Sequence, residues 1–329
     1  MWACLLSVTL FLSGKTNDRI NHWKSDTSRM EFLLGGVAAV ISNVVCNPLD
    51  VVKIRMQLQG ELLARGEYTV HYKNVFHAFY AIGKADGVLA LQRGLVSSSA
   101  HQFILNAIRL GAFHFAEDRG WTTDETGNHT SLPKSALISS VAGGIGAIAG
   151  SPFYLVKTQM QSYSNSEIAV GHQTKHLGTF SAFKQIYGEH GLKGLWRGTN
   201  SAVPRMAVAS AAQLTSYDLF KRHLNESKVL SNDHSINSFV ASVLSSLVTL
   251  IVKAPFDVVS TRIYNQGVDA QGKGLLYSGV VDCFVKIATK EGFFGLYKGA
   301  GAAYLRLGPH IIISLVVWDW LRLLYDTGK

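Results

Sequence analysis

Three stretches decide the fold: Pro48-Leu-Asp-Val-Val-Lys-Ile-Arg55, Pro152-Phe-Tyr-Leu-Val-Lys-Thr-Gln159 and Pro255-Phe-Asp-Val-Val-Ser-Thr-Arg262. Their prolines recur at nearly equal spacing, 104 residues (152 − 48) and then 103 (255 − 152). Each follows an apolar run and precedes charged or polar residues at fixed offsets. A second signal trails each proline by about 45 residues: Asp86-Gly87 to Arg93-Gly94, His190-Gly191 to Arg197-Gly198, and Glu291-Gly292 to Lys298-Gly299. A period near 100 is too long for a solenoid unit and suits three copies of a helical hairpin.

The 329 residues are 47% hydrophobic, with mean hydropathy +0.16. That is high for a soluble protein and low for a bundle coated wholly by lipid, so polar residues line something inside. Net charge is +9. A basic balance points to nucleic acid, an anionic membrane surface or anionic substrates. With no zinc-finger spacing, RNA-binding signature or polybasic tail, nucleic acid is disfavoured. Cys4, Cys46 and Cys283 are isolated and imply neither a disulfide framework nor a metal site. Residues 1–12 are apolar, too short to span a bilayer, and read as a dispensable leader or an alternative start.

Helix-compatible apolar stretches fall at roughly 31–59, 94–117, 135–163, 198–222, 236–265 and 299–323. Each crosses about 30 Å of hydrocarbon at about 1.5 Å per residue. Small residues such as Gly35-Gly36 and Gly143-Gly-Ile-Gly146 let helix backbones approach closely in lipid. The prolines of spans one, three and five predict kinks. Amphipathic segments at 74–84, 179–187 and 280–289 fit helices lying in the membrane interface. The loops 60–93, 164–197 and 266–298 each hold four Lys or Arg, so positive charge collects on one side. Six spans put both termini on the other.

The proline stretches and the downstream aromatic-basic-glycine stretches resemble those of the mitochondrial carrier family (solute carrier family 25). The likeness covers residues 31–329. Ser151-Pro-Phe-Tyr-Leu-Val-Lys-Thr158, Ile108-Arg-Leu-Gly111 and Leu305-Arg-Leu-Gly-Pro-His310 are similar to strings of its oxaloacetate and dicarboxylate branch. The resemblance implies an all-α membrane protein, a six-transmembrane-helix bundle with threefold pseudosymmetry and short interfacial matrix helices. It implies an N-terminal extension (1–30) and repeats at 31–125, 132–226 and 235–329, forming one structural domain. It implies alternating access across the mitochondrial inner membrane, basic loops in the matrix and both termini toward the intermembrane space.

The family places a gate at each end of its cavity. Carried over, the matrix gate pairs Asp50 with Lys157 and Asp257 with Lys53, while Tyr154 and Ser260 form an uncharged third pair. Gln57 and Gln161, one turn below, brace them. The cytoplasmic gate draws on Asp218, Lys221, Asp319 and Arg322. Asp218 can meet Arg322, whereas repeat 1 departs from the pattern with His114 and Glu117. One good pair there against two at the matrix gate predicts that the ligand-free protein favours the matrix-closed state.

Seven residues past Gly94, Gly198 and Gly299 stand His101, Arg205 and Arg306, expected at one height in the cavity. Charged residues inside membrane spans are expensive and usually functional. Arginine presents a planar fork that matches a carboxylate. Two of them suit a small dianion with an oxyanion at each end. Arg109, ~12 Å farther along its helix, adds a capture charge. Gln102, Met206 and His310 complete the expected substrate site. His101 is as readily a neutral hydrogen-bonding residue as a proton carrier. The start of each even span attracts phosphate, and the resemblance implies cardiolipin at Gly94, Arg197, Gly198, Lys298 and Gly299. Cardiolipin is the one bound lipid expected; neither cofactor nor metal is.

The leading function is therefore an antiporter of dicarboxylates of the oxaloacetate and malate type, with sulfur oxoanions as further substrates, and a monomer. The alternative is an uncoupling-type anion or proton transporter, which shares a basic cavity. No Ser-His-Asp, metal or phosphate-loop constellation supports an enzyme. Retained gate pairs disfavour a static scaffold.

Overall fold

The structure, a computed structural model, describes residues 25–327 except 65, 122–131, 165–166, 228–233 and 270; the side chains of Arg109, His114, Glu117, Asp319 and Arg322 also lie outside the description. Nine α-helices are described: α1 (Ser25–Leu58), α2 (Val75–Ala85), α3 (Leu95–Asp118), α4 (Leu132–Ser162), α5 (Thr179–Leu195), α6 (Thr199–Ser227), α7 (His234–Asn265), α8 (Val280–Lys290) and α9 (Ala300–Thr327). Pro48, Pro152 and Pro255 lie inside α1, α4 and α7, and Pro204 and Pro309 inside α6 and α9. Each helix continues past its proline because packing from neighbours offsets the lost backbone bond. Helix α1 begins at Ser25, ahead of the span expected from residue 31.

The six long helices close a ring. Helix α1 packs against α3, α3 against α4, α4 against α6, α6 against α7, α7 against α9, and α9 back against α1. Helices α1, α4 and α7 also touch one another, closing the basic-loop end. Four of the described helices contain windows apolar enough to cross a membrane: Val37–Leu58, Leu137–Ser162, Ile236–Asn265 and Phe293–Trp318. Helices α3 and α6 have the length but not the apolarity, because buried polar residues occupy them: Ser97, Ser98, His101 and Asn106 on α3, and Ser201, Arg205, Ser210, Gln213 and Ser216 on α6. The polar lining that the low mean hydropathy demanded sits there.

The short helices α2, α5 and α8 cover the basic-loop end. Asn74 caps α2 by accepting from the His77 backbone N–H. Each short helix sends one apolar face inward and leaves the other outward, with Phe76 and Tyr80 on α2, Phe180 on α5, and Val281 and Val285 on α8 exposed. Three satellite cores result, one per repeat: Val51, Leu58, Tyr72 and Ile82; Leu155, Ile186 and Ala202; Val258, Tyr277 and Ile287. Helix α5 runs beyond the expected 179–187 to Leu195, through a non-helical Gly191 at φ 63°. Gly299 ends the turn before α9 at φ 77°, and a Cβ there would lie 2.9 Å from the Lys53 carbonyl oxygen. Only glycine lets α9 start so close to α1.

Candidate functional site

After their prolines, α1, α4 and α7 bring charged residues toward one another. Lys53 Nζ lies 2.8 Å from Asp257 Oδ2, and Lys157 Nζ lies 2.8 Å from Asp50 Oδ2. The first contact joins α1 to α7 and the second joins α4 to α1. Both pairs expected from the sequence thus meet, and all four residues are largely buried. The third pair does not form. Ser260 Oγ donates to the Ser201 carbonyl at 3.0 Å. Tyr154 instead packs edge-on against Tyr264, with ring centroids 4.8 Å apart. Serine is too short to cross the axis once two large rings fill it.

The glutamines bridge helices without touching the charged pairs. Gln161 Nε2 donates to Asn47 Oδ1 at 2.9 Å, and Gln57 Oε1 accepts from Thr261 at 2.7 Å. Tyr264 stands at the same register as Gln57 and Gln161, and its hydroxyl meets Ser151 Oγ at 2.7 Å. Counting 104 and 103 residues on from Gln57 would have found it.

The candidate substrate arginines are both turned inward, and each contacts a gate aspartate. Arg205 Nη1 lies 3.4 Å from Asp257 Oδ1, with its guanidinium carbon 4.7 Å from the Tyr154 ring centroid. Arg306 Nε lies 3.0 Å from Asp50 Oδ1, an ion-pair contact without hydrogen-bond alignment. Lys253, which sequence reasoning passed over, adds a third cation on Asp257 at 3.6 Å. An intramembrane lysine two residues before a proline was the available signal. Five cations therefore share two carboxylates: Lys53, Lys253 and Arg205 on Asp257, and Lys157 and Arg306 on Asp50. Arg205 Nε, and Nε and Nη2 of Arg306, are buried with no hydrogen-bond partner among the described residues. A cavity of about 100 Å³ opens between α1, α7 and α9, lined among others by Lys53, Lys253, Asp257, Arg306 and His310.

The remaining expected residues divide. His101 Nδ1 lies 3.0 Å from the Gly150 carbonyl, so that nitrogen carries the proton and donates. The ring fixes α3 on α4 and stands 5.1 Å from Tyr154. His310 Nδ1 meets Ser42 Oγ at 2.6 Å, while Ser42 donates to the His310 carbonyl at 2.9 Å. His310 thus ties α9 to α1 at the cavity wall. Met206 is buried in the apolar cluster between α4 and α6, with Leu105 and Ala147, outside the cavity lining. Gln102 is half-buried. The Arg109 side chain lies outside the described residues.

At the opposite gate, Asp218 pairs with Arg222 on its own helix at 2.8 Å, and Lys221 lies over the Tyr217 ring. The partners expected for them, Arg322 and Asp319, lie outside the description. Of the expected lipid contacts, Lys298 points inward: its Nζ lies 2.6 Å from Glu291 Oε2 and 2.8 Å from the Gln59 carbonyl. Gly94, Gly198 and Gly299 keep positive φ at the turns into α3, α6 and α9, and Arg197 stands before the second of them.

Below the gate lies a layer the sequence marked only as a repeat signal. Arg55 binds Asp86 at 2.7 Å, and Arg262 binds Glu291, with all four side chains shielded from solvent. Each reaches across a repeat boundary, Arg55 to the Gln161 and Tyr163 carbonyls and Arg262 to the Gln57 carbonyl. Burial alone would raise the Asp86 carboxyl, but hydrogen bonds from Arg55 and Ser164 outweigh it and hold the group below its ordinary value. Glu291 is likewise held down, with Arg262 and Lys298 outweighing burial. Repeat 2 has Gln159 and His190 at these positions, and Gln159 Oε1 instead meets His176 Nε2 at 2.9 Å.

A family model described as mitochondrial carrier protein matches residues 24–119, 128–228 and 231–329. The chain is 50% identical to solute carrier family 25 member 35 of Homo sapiens over 298 residues, covering 91% of this chain and 99% of that protein. It is 36% identical to the mitochondrial oxaloacetate transport protein of Saccharomyces cerevisiae over 300 residues, 90% of each chain. It is 35% identical to the mitochondrial citrate transporter E of Aspergillus niger over 290 residues, 88% of this chain and 91% of that one.

Proposed function

The chain belongs to the mitochondrial carrier family, and from that premise we propose that it exchanges small dicarboxylates of the oxaloacetate and malate type, with sulfur oxoanions as further substrates. It is a transporter of small metabolites, not an enzyme. It works in the mitochondrial inner membrane by alternating access, as a monomer with both termini toward the intermembrane space.

One observation carries the choice of substrate. Five cations hold only two carboxylates, and three guanidinium nitrogens lack hydrogen-bond partners among the described residues. Buried donors left unpaired are costly, and an excess of buried positive charge calls for an anion. A dicarboxylate supplies two charges and four acceptor oxygens. Its oxygens compete with Asp50 and Asp257 for the cations those two acids hold. Loading therefore loosens the contacts that keep the matrix side shut, and the gate lysines separate from their aspartates. The name of one relative, an oxaloacetate transport protein, supports the same class. Cardiolipin phosphates bind at the turns of Gly94, Gly198 and Gly299, where helix N-termini present backbone N–H groups; Lys298 has no part in that contact.

The test is uptake by the reconstituted protein of oxaloacetate, malate, malonate, sulfate, phosphate and ADP, with and without counter-substrate. Dianion uptake that requires an internal dianion is expected, and the Arg205→Ala, Arg306→Ala double variant should abolish it. Proton flux without counter-substrate dependence would replace this reading with the uncoupling one. Normal transport by the double variant would refute the site.

A further inference from the structure

The gate register is threefold, but one cation breaks it. Lys253 stands two residues before Pro255; the same position before Pro48 is Cys46, and before Pro152 it is Gly150. Gly150 has no room for a side chain, since a Cβ there would meet His101 Nδ1 at 2.8 Å. Cys46 is buried and uncharged. At this height, then, one wall of the ring is charged and two are not.

Lys253 is also the most loosely held of the five cations. Asp257 Oδ2 already accepts a hydrogen bond from Lys53 at 2.8 Å, while Lys253 Nζ stays 3.6 Å from the same oxygen. It is the most exposed of the five, at 30% of its side chain. It lines the cavity together with Arg306, whereas Arg205 does not reach that cavity. An intramembrane lysine beyond hydrogen-bond range of its acid, facing a cavity with a second cation, fits a ligand contact better than a structural one.

We propose that Lys253 is a substrate-contacting, specificity-determining residue. It takes one oxyanion of a doubly charged substrate while Arg306 takes the other, so that dianions are selected over monoanions. The inference rests on the dicarboxylate reading above and adds a further cation to that site. A threefold cavity by itself gives a two-ended anion three equivalent orientations, and a single off-axis ammonium picks one. Its flexible four-carbon stem lets it follow dianions of different length, where a guanidinium fork would demand one geometry. When Lys253 swings to the substrate, Asp257 still has Arg205 beside it, so the carboxylate is not stranded even as the gate lysine Lys53 separates from it.

The test uses purified full-length protein and three probes: malonate, sulfate and the monoanion acetate. Thermal stabilisation by each is measured, then KM and Vmax for dianion uptake in liposomes. Lys253→Gln is expected to raise the dianion KM at least tenfold with Vmax largely kept, leaving the weak acetate response unchanged. Lys253→Arg should restore discrimination against acetate while shifting the preference between malonate and sulfate. Wild-type protein with no dianion response would overturn the dicarboxylate reading and this inference with it. A wild-type response retained in full by Lys253→Gln would overturn the role of Lys253 alone. Should Lys253→Gln fail to fold, Lys253→Arg decides: an unchanged ranking of malonate and sulfate overturns the proposal.

Discussion

Replacing Asp257 by Asn removes the one carboxylate that Lys53, Arg205 and Lys253 share, at 2.8, 3.4 and 3.6 Å. Shape is kept and charge is lost, so three cations stay within a buried cluster without an anion. Breaking a buried pair by removing one partner costs about 3–5 kcal/mol. For about 300 structured residues the unfolding entropy is on the order of 0.6 kcal/mol per kelvin, which converts that loss to a fall in melting temperature of about 5–8 °C. Thermal unfolding of the purified protein in detergent measures it. The double variant Asp257→Asn, Lys53→Met deletes the best-placed stranded cation and should recover part of the fall, a coupling of about 1–3 kcal/mol. If Asp257→Asn melts with the wild type, or the two substitutions simply add, then Asp257 is not the shared counter-charge and the gate assignment on α1 and α7 is wrong.

Gly299→Ala combines φ 77° with a Cβ 2.9 Å from the Lys53 carbonyl oxygen, whereas at Gly94, with φ 69°, the matching Lys157 carbonyl oxygen is 3.3 Å away; the Gly299 variant should lose the larger share of stability, by more than about 1 kcal/mol. Tyr264→Phe removes the hydroxyl that meets Ser151 and should cost about 1 kcal/mol while keeping the edge-on contact with Tyr154. Asp86 and Glu291 are held below their ordinary values in the folded state. Their contribution is therefore fully present above the unfolded carboxylate range near ~4 and is lost as pH falls through the lower folded values. Thermal stability should be flat in this respect near neutrality and fall in acid, and Asp86→Asn should lower the neutral plateau and blunt the acid fall. A steeper acid fall in the variant would contradict that. In the ligand-free protein, state-specific trapping should find mainly the matrix-closed form.

The architecture was legible from the chain because it repeats. A proline in all three copies, followed at one offset by an acid in two and at the next by a lysine in two, marks three equivalent helices about an axis, and period plus hydropathy mark six crossings and three amphipathic connectors. Asp50, Lys53, Lys157 and Asp257 could be paired without coordinates because the family resemblance carries its pairing rule onto those positions. Arg205 and Arg306 stood out because apolar helices rarely carry guanidinium groups.

Tertiary structure decided whatever depends on which neighbour a side chain reaches first. Two arginines readable as open substrate ligands turn out to lie on the gate aspartates, because the helices converge enough to bring those acids within ion-pair range. Ser260 turned to the Ser201 carbonyl because the Tyr154 and Tyr264 rings fill the axis. Lys253 carried a sequence signal as an intramembrane lysine, but its place in the same cavity lining as Arg306 came from the packing of α1, α7 and α9. Sequence determined the register through local repetition; the partners of each charge follow from distances between helices hundreds of residues apart, which no local pattern encodes.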